Sequence, residues 1–151
     1  MKRFFLFLVC LMLISSIVTI PVSAESTMNQ IIVSQEISYL TDDCYFIETI
    51  TVPSIQAYSN TKTGTKTAVY VSSGTAIYSI SVTGNFSYDG STAKATSASS
   101  TISAHVEGVT LNSQRAYTSG ASACAIGSVI YKGVTLQKTV TLTCDKDGNL
   151  S

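Results

Sequence analysis

The clearest pattern in this chain is an alternation of apolar and polar residues that ends at Tyr88. From Tyr78 to Tyr88 every second residue is large and apolar, apart from Gly84, and the residues between them are serine, threonine and asparagine. A period of two predicts a β-strand over Ala76–Tyr88 with one buried face and one solvated face. A glycine inside such a strand marks a bulge or a close backbone approach, and we expect one of these at Gly84.

The dipeptide Asp89-Gly90 follows this strand directly and is a strong signal for a two-residue hairpin turn. Such a turn would pair the strand with the residues after it, and small alanines would then share a face with large aromatic residues. The expected opposed pairs are Tyr88 with Ser91, Phe86 with Ala93, and Gly84 with Ala95.

Other segments have a similar composition of β-branched, aromatic and hydroxyl residues bounded by turn residues. The predicted strands are Cys44–Val52, ended by Pro53, then Thr65–Ser72, joined to Ala76–Tyr88 by Ser73-Gly74-Thr75, and then Thr101–Leu111, Ser122–Tyr131 and Thr135–Cys144. We therefore predict an all-β chain, an antiparallel β-sandwich of about seven strands, immunoglobulin-like or similar, over residues 41–151. Residues 25–40 are predicted to be a flexible lead-in with one short strand at Gln30–Val33.

The first 24 residues have the layout of a secretory signal peptide, with a basic start, an apolar run and a small-residue cleavage site ending at Ala24. The apolar run, Phe4 to Ile20, has 17 residues, whereas a spanning helix needs roughly 20. We expect cleavage of this helical leader and a secreted, extracellular protein. An uncleaved leader, the alternative, would be the chain's only attachment to a membrane.

Composition restricts the partners of the remaining chain. Serine and threonine make up 39 of the 127 residues from Glu25 to Ser151, and seven basic residues face nine acidic ones, a net charge of −2. The basic residues are scattered singly, so the stripe of cations that would neutralise nucleic-acid phosphates is missing. Nucleic acid is therefore not an expected partner, and binding to an anionic membrane surface is disfavoured.

Three cysteines follow the leader, an odd number, which in an exported chain predicts one disulfide with a free thiol, or an intermolecular bridge. A five-residue loop at residues 132–136 would place Cys124 opposite Cys144, whereas a tighter turn around Lys132-Gly133 would move the two out of reach. Cys44 lies on the apolar face of its strand, so a Cys44–Cys144 bridge is the rival pairing.

No motif in the chain predicts catalysis or a bound cofactor. His105 is the only histidine, and with Glu107 it offers two metal ligands, too few for a site. No Gly-x-Ser-x-Gly elbow is present. The segment 145–149 resembles part of a calcium loop, but it lacks the closing glutamate and is better interpreted as a polar turn. Only Tyr39, Tyr58 and Tyr117 remain as candidate exposed aromatic residues on which a sugar ring could stack.

Several Ser/Thr-rich motifs resemble a family of small exported proteins of unknown function from Gram-positive, clostridial-type bacteria. They are Thr63–Tyr70, Ser73–Ala76, Ser81–Tyr88, Gly90–Lys94, Val140–Cys144 and Gly148–Ser151. The resemblance spans roughly residues 40–151 and implies secretion and a β fold, with no catalytic residues. That family tends to have cysteine where Ala95 stands, a natural partner for the C-terminal cysteine, and here Cys124 is its possible substitute.

These observations together favour a secreted, non-enzymatic protein that acts through its surface. The expected role is a binding or adhesion module, or a structural protein of the cell envelope, with a cell-wall or host-surface component as partner. The alternatives are a secreted hydrolase or glycan-active enzyme, for which acids around His105 would be the sign, and a small secreted effector or antimicrobial protein.

Overall fold

Eight antiparallel strands make up the part of the chain that the computed structural model describes, residues 29–54 and 60–151. The first five form one sheet in the order β1-β2-β3-β4-β5 and the last three form a second sheet in the order β6-β7-β8. Their bounds are β1 Gln30–Thr41, β2 Cys44–Pro53, β3 Thr61–Ser72, β4 Thr75–Tyr88, β5 Ala93–Ala104, β6 Thr110–Ser119, β7 Ser122–Tyr131 and β8 Val134–Thr143. The leader and residues 25–28 of the predicted lead-in lie outside the described residues.

The predicted antiparallel β-sandwich is confirmed, and its core lies between the two sheets. The three-stranded sheet packs mainly on β3, β4 and β5, whereas β1 and most of β2 extend beyond it. The largest fully buried side chains come from both layers. They are Tyr78, Phe86, Ile80, Val82, Val129, Val140, Leu142 and Cys144. Both sheets are simple meanders, so the strand order differs from that of immunoglobulin domains.

Gly84 marks both a close approach and a neighbouring bulge, as the strand pattern predicts. A Cβ atom built there would lie 2.7 Å from the Cβ of Ala123 in the opposite sheet. The β4–β5 ladder shifts register between Asn85 and Phe86. The two sheets therefore approach each other closely at a point where both carry a small residue.

The hairpin after β4 has a longer loop than the sequence predicts, so the predicted residue pairs are wrong. Tyr88 lies opposite Ala93, Phe86 opposite Ala95 and Gly84 opposite Ala98. The reason is the Asp89 carboxylate, whose Oδ1 accepts hydrogen bonds from the backbone N–H groups of Ser91 and Thr92 at 2.9 and 2.7 Å. This cap stabilises a loop of residues 89–92. The alanines and the aromatic residues nevertheless lie on the same face, as predicted.

Two segment assignments are also corrected. Residues 101–111, predicted as one strand, are the end of β5, a turn and the start of β6, because Gly108 adopts a φ of 80° and reverses the chain. The predicted lead-in contains a full strand, Gln30–Thr41, paired along β2. Its apolar residues lie on both faces, and this hides the alternation on which sequence-based assignment depends.

Tyr78 places a phenol at the centre of the core. The residue is fully buried, and its hydroxyl has no hydrogen-bond partner within residues 29–54 and 60–151. Burial, followed by the nearby Tyr70, raises the pKa of Tyr78 to about 12. The phenol therefore stays neutral at any physiological pH, and its ring packs against Phe46 and Tyr70.

Candidate functional site

The outer face of the five-stranded sheet, which points away from the second sheet, is an array of hydroxyl side chains. Residues that alternate with the core positions of four neighbouring strands supply it, and their pairing places them in rows across the sheet. We call this set the hydroxyl face: Thr49 and Thr51 of β2, Thr63, Thr65 and Thr67 of β3, Ser79, Ser81, Thr83 and Asn85 of β4, and Ser97, Ser99, Thr101 and Ser103 of β5.

Cross-strand hydrogen bonds fix part of this array. The Thr63 hydroxyl donates to Asn85 Oδ1 at 2.6 Å, and Asn85 Nδ2 donates to Ser97 Oγ at 2.7 Å, which links three strands in one row. In the adjacent row the hydroxyls of Thr65 and Thr83 are 2.8 Å apart. Rows lie about 6.7 Å apart along a strand and neighbours about 4.8 Å apart across strands, so the polar groups repeat in two dimensions.

The hydroxyl face carries no charged residue. Strands β1–β5 contain five charged side chains, and four of them, Glu36, Glu48, Lys62 and Lys66, alternate onto the inner side. The fifth, Lys94, is exposed and lies opposite Ser87 on the outer side, beyond the Asn85–Ser97 row that ends the hydroxyl face. A polyanion or polycation would therefore find no opposite charge on the face itself.

An aromatic pair lies on the same side of the sheet, at its β1–β2 end. Tyr39 and Tyr45 are directly opposed, with ring centroids 5.4 Å apart and planes tilted by 47°. Tyr39 is 69% exposed. Of the other predicted aromatic platforms, Tyr58 lies outside the described residues, and Tyr117 lies on the second sheet beneath the Arg115 guanidinium. The structure thus places one of the three on the same side of the sheet as the hydroxyl face, with the Ile37–Ile47 pair between Tyr45 and Thr49.

A cavity of about 380 Å³ opens on the inner side, where β1 and β2 extend beyond the second sheet. Its walls include Ser34, Glu36, Glu48, Ile50, Lys66, Leu150 and Ser151. Glu48 contacts Lys138 at 2.6 Å and Lys66 at 3.6 Å, and the Lys138 ammonium lies 4.3 Å from the Phe46 ring centroid. Burial raises the pKa of Glu48, but the two lysines outweigh it and hold that pKa below its ordinary value. These charges pair with one another, which indicates a structural role.

All three cysteines in the described residues are free thiols, so neither predicted bridge is present. The β7–β8 connection is the tight turn at Lys132-Gly133, and it places Cys124 opposite Thr141 on the outer face of its sheet. Cys144 belongs to the core cluster on the other face, where burial raises its pKa. Hydrogen bonds, the strongest with Tyr70, lower the pKa of the Cys44 thiol.

His105 lies in the exposed turn between β5 and β6 instead of on a strand, so it does not share a strand face with Glu107. Its Nε2 lies 3.0 Å from the Ser79 hydroxyl, and no ion pair of the described residues includes it. The segment 145–149 is a turn whose Asp145 Oδ1 accepts from the backbone N–H groups of Asp147 and Asn149. The Asp145 carboxylate therefore stabilises this turn.

Sequence reasoning identified the polar face of β4 but not the array. The alternation gives each strand its two faces, whereas the rows depend on the register between β2, β3, β4 and β5.

In the described ranges, no three His, Cys, Asp or Glu side chains are grouped to hold a metal ion. No helix among those residues has the length and apolar character needed to cross a membrane. Comparisons of the chain with protein-family models, with curated proteins and with solved structures found no match.

Proposed function

We propose that this protein is an exported, non-enzymatic binding module whose hydroxyl face binds a neutral polysaccharide of a cell wall or host surface. The observation that carries the proposal is the uncharged, repeating array of hydroxyl and amide groups on four adjacent strands. A polymer of hydroxylated rings can exchange hydrogen bonds with such an array at many points, each worth about 0.5–1.5 kcal/mol.

Two further features support a neutral sugar over other ligands. The Tyr39–Tyr45 pair lies on the same side of the sheet as the array, and the largely exposed ring of Tyr39 suits the apolar face of a sugar ring. Four of the five charged side chains of the sheet alternate onto its other side and Lys94 is the single cation on the outer side, so an anionic polymer gains little attraction. Export rests on the predicted leader at residues 1–24.

The proposal predicts that a double variant, Thr65→Val with Thr83→Val, binds polysaccharide at least about tenfold more weakly, since two polar contacts are lost. Valine keeps the branched shape and strand preference of threonine. Replacing both hydroxyls of one hydrogen bond also leaves neither residue with an unpaired polar group. Co-sedimentation with an insoluble β-linked glucan, a mannan and a galactan, beside an anionic polyuronate, measures the affinity.

The matched control is Thr135→Val with Thr139→Val, the same exchange at exposed positions on the outer side of β8. We expect wild-type affinity for this control. Failure of every neutral polysaccharide to retain the wild-type chain would contradict the proposal, and so would equal losses in the two double variants.

A further inference from the structure

Among the described residues, strand β1 forms a free edge of the five-stranded sheet. Six of the ten large apolar side chains that are exposed among the described residues lie on it, and it carries no lysine, arginine or proline. Ile32 is 62% exposed, Ile37 52% and Leu40 62%. Natural edge strands are normally blocked by such charged residues or prolines, because an open ladder of N–H and C=O groups recruits another strand.

The shape of β1 defines how a strand can pair with it. Register shifts between Ile32 and Ser34, and between Tyr39 and Thr41, enclose a regular stretch from Ser34 to Tyr39. This stretch is apolar or uncharged except for Glu36. A partner strand must therefore be short, able to cover the apolar groups of Ile37 and Tyr39 on the outer face, and free of a negative charge opposite Glu36.

A second copy of β1 meets these conditions in one antiparallel register. A two-fold axis through Glu36 would oppose two carboxylates, which is destabilising. An axis through Ile37 places Ile37 against its own copy, Glu36 against Ser38 of the second copy, and Tyr39 against Gln35 of the second copy. This register uses the regular stretch alone and contains no pair of like charges.

We propose that two copies of this chain pair through β1 about a two-fold axis at Ile37. The product is a continuous ten-stranded sheet in which the two outer faces lie on the same side, since an axis perpendicular to an antiparallel pair preserves the faces. A single strand pair buries a small area, so the dimer is weak and depends on concentration. The pairing stands whether or not the hydroxyl face binds a polysaccharide.

Sedimentation velocity of the purified chain between about 1 and 500 µM tests the pairing, because this range covers weak interfaces. The mass should rise toward twice that of the chain, and Ile37→Lys should raise the dissociation constant at least tenfold by opposing two cations. Val134→Lys, at an equally exposed apolar position that begins β8, is the matched control and should leave association unchanged. A monomer at all concentrations, or unchanged association of Ile37→Lys, would overturn the proposal.

A cysteine at the axis tests the register independently of stability. Ile37→Cys should form an intermolecular disulfide under mild oxidation, since only the residue on the axis meets its own copy. Gln35→Cys should not, because it faces Tyr39 of the second copy. Peptide mapping by mass spectrometry distinguishes these bridges from any at Cys44. A bridge through Glu36→Cys in place of Ile37→Cys would overturn the register.

Discussion

Gly84→Val is expected to lower the free energy of unfolding by about 3 kcal/mol, the upper end of the usual cost of overpacking a close-packed core. A Cβ at this position would lie 2.6 Å from Cζ of Phe86 and 2.7 Å from the Cβ of Ala123. Both neighbours are fully buried or nearly so, and Ala123 has no side-chain torsion by which to move away. The two sheets would have to separate at this point.

Urea unfolding followed by far-UV circular dichroism measures this loss. The matched control is Ser81→Val, which introduces the same residue on the same strand but on the outer face. We expect the control to remain within about 0.5 kcal/mol of wild type, as is usual for surface exchanges. Equal stability of Gly84→Val and wild type would show that the sheets do not approach each other as described.

Phe86→Ala should cost about 3–5 kcal/mol, the usual loss for a buried aromatic ring truncated to alanine. Phe86 is 1% exposed and lies opposite Ala95, so the neighbouring side chain is too small to fill the cavity. A domain of this size has a total stability of about 5–15 kcal/mol, so the variant loses a substantial part of it.

Tyr39→Ala provides the comparison, because it also truncates an aromatic ring, but one that is 69% exposed on the edge strand. Thermal unfolding of the two variants should show a large fall in Tm for Phe86→Ala and a small one for Tyr39→Ala. Similar falls would contradict the assignment of the two residues to core and surface.

Sequence reasoning was accurate where alternation and turn chemistry agreed. Ser122–Tyr131 has the predicted bounds, and the turn after β3 uses Ser73 and Gly74 at φ values of 49° and 75°. It failed where a side chain changed the length of a loop. The Asp89 carboxylate accepts from two backbone N–H groups of the four-residue loop 89–92 and so moves the β4–β5 register, and a propensity argument does not contain these hydrogen bonds.

The other differences have physical causes of the same kind. Ile31, Ile32 and Val33 are consecutive apolar residues and the register shifts after Ile32, so a strict period of two does not run along β1. The cysteine pairing depended on one turn, and the tight turn at Lys132-Gly133 places Cys124 and Cys144 on different sides of their sheet. The sequence indicated the hydroxyl face only through its high serine and threonine content and the polar side of β4. The rows of hydroxyl groups arise from the pairing of four strands.

The central claim is that the hydroxyl face of the five-stranded sheet is the binding surface. NMR chemical-shift mapping with a soluble fragment of whichever neutral polysaccharide retains the chain tests it most directly. The account predicts that the perturbed amides cluster on β2–β5 around Thr65, Thr83 and Asn85. Perturbations confined to the cavity beside Glu36 and Glu48, or to the sheet of β6–β8, would contradict it.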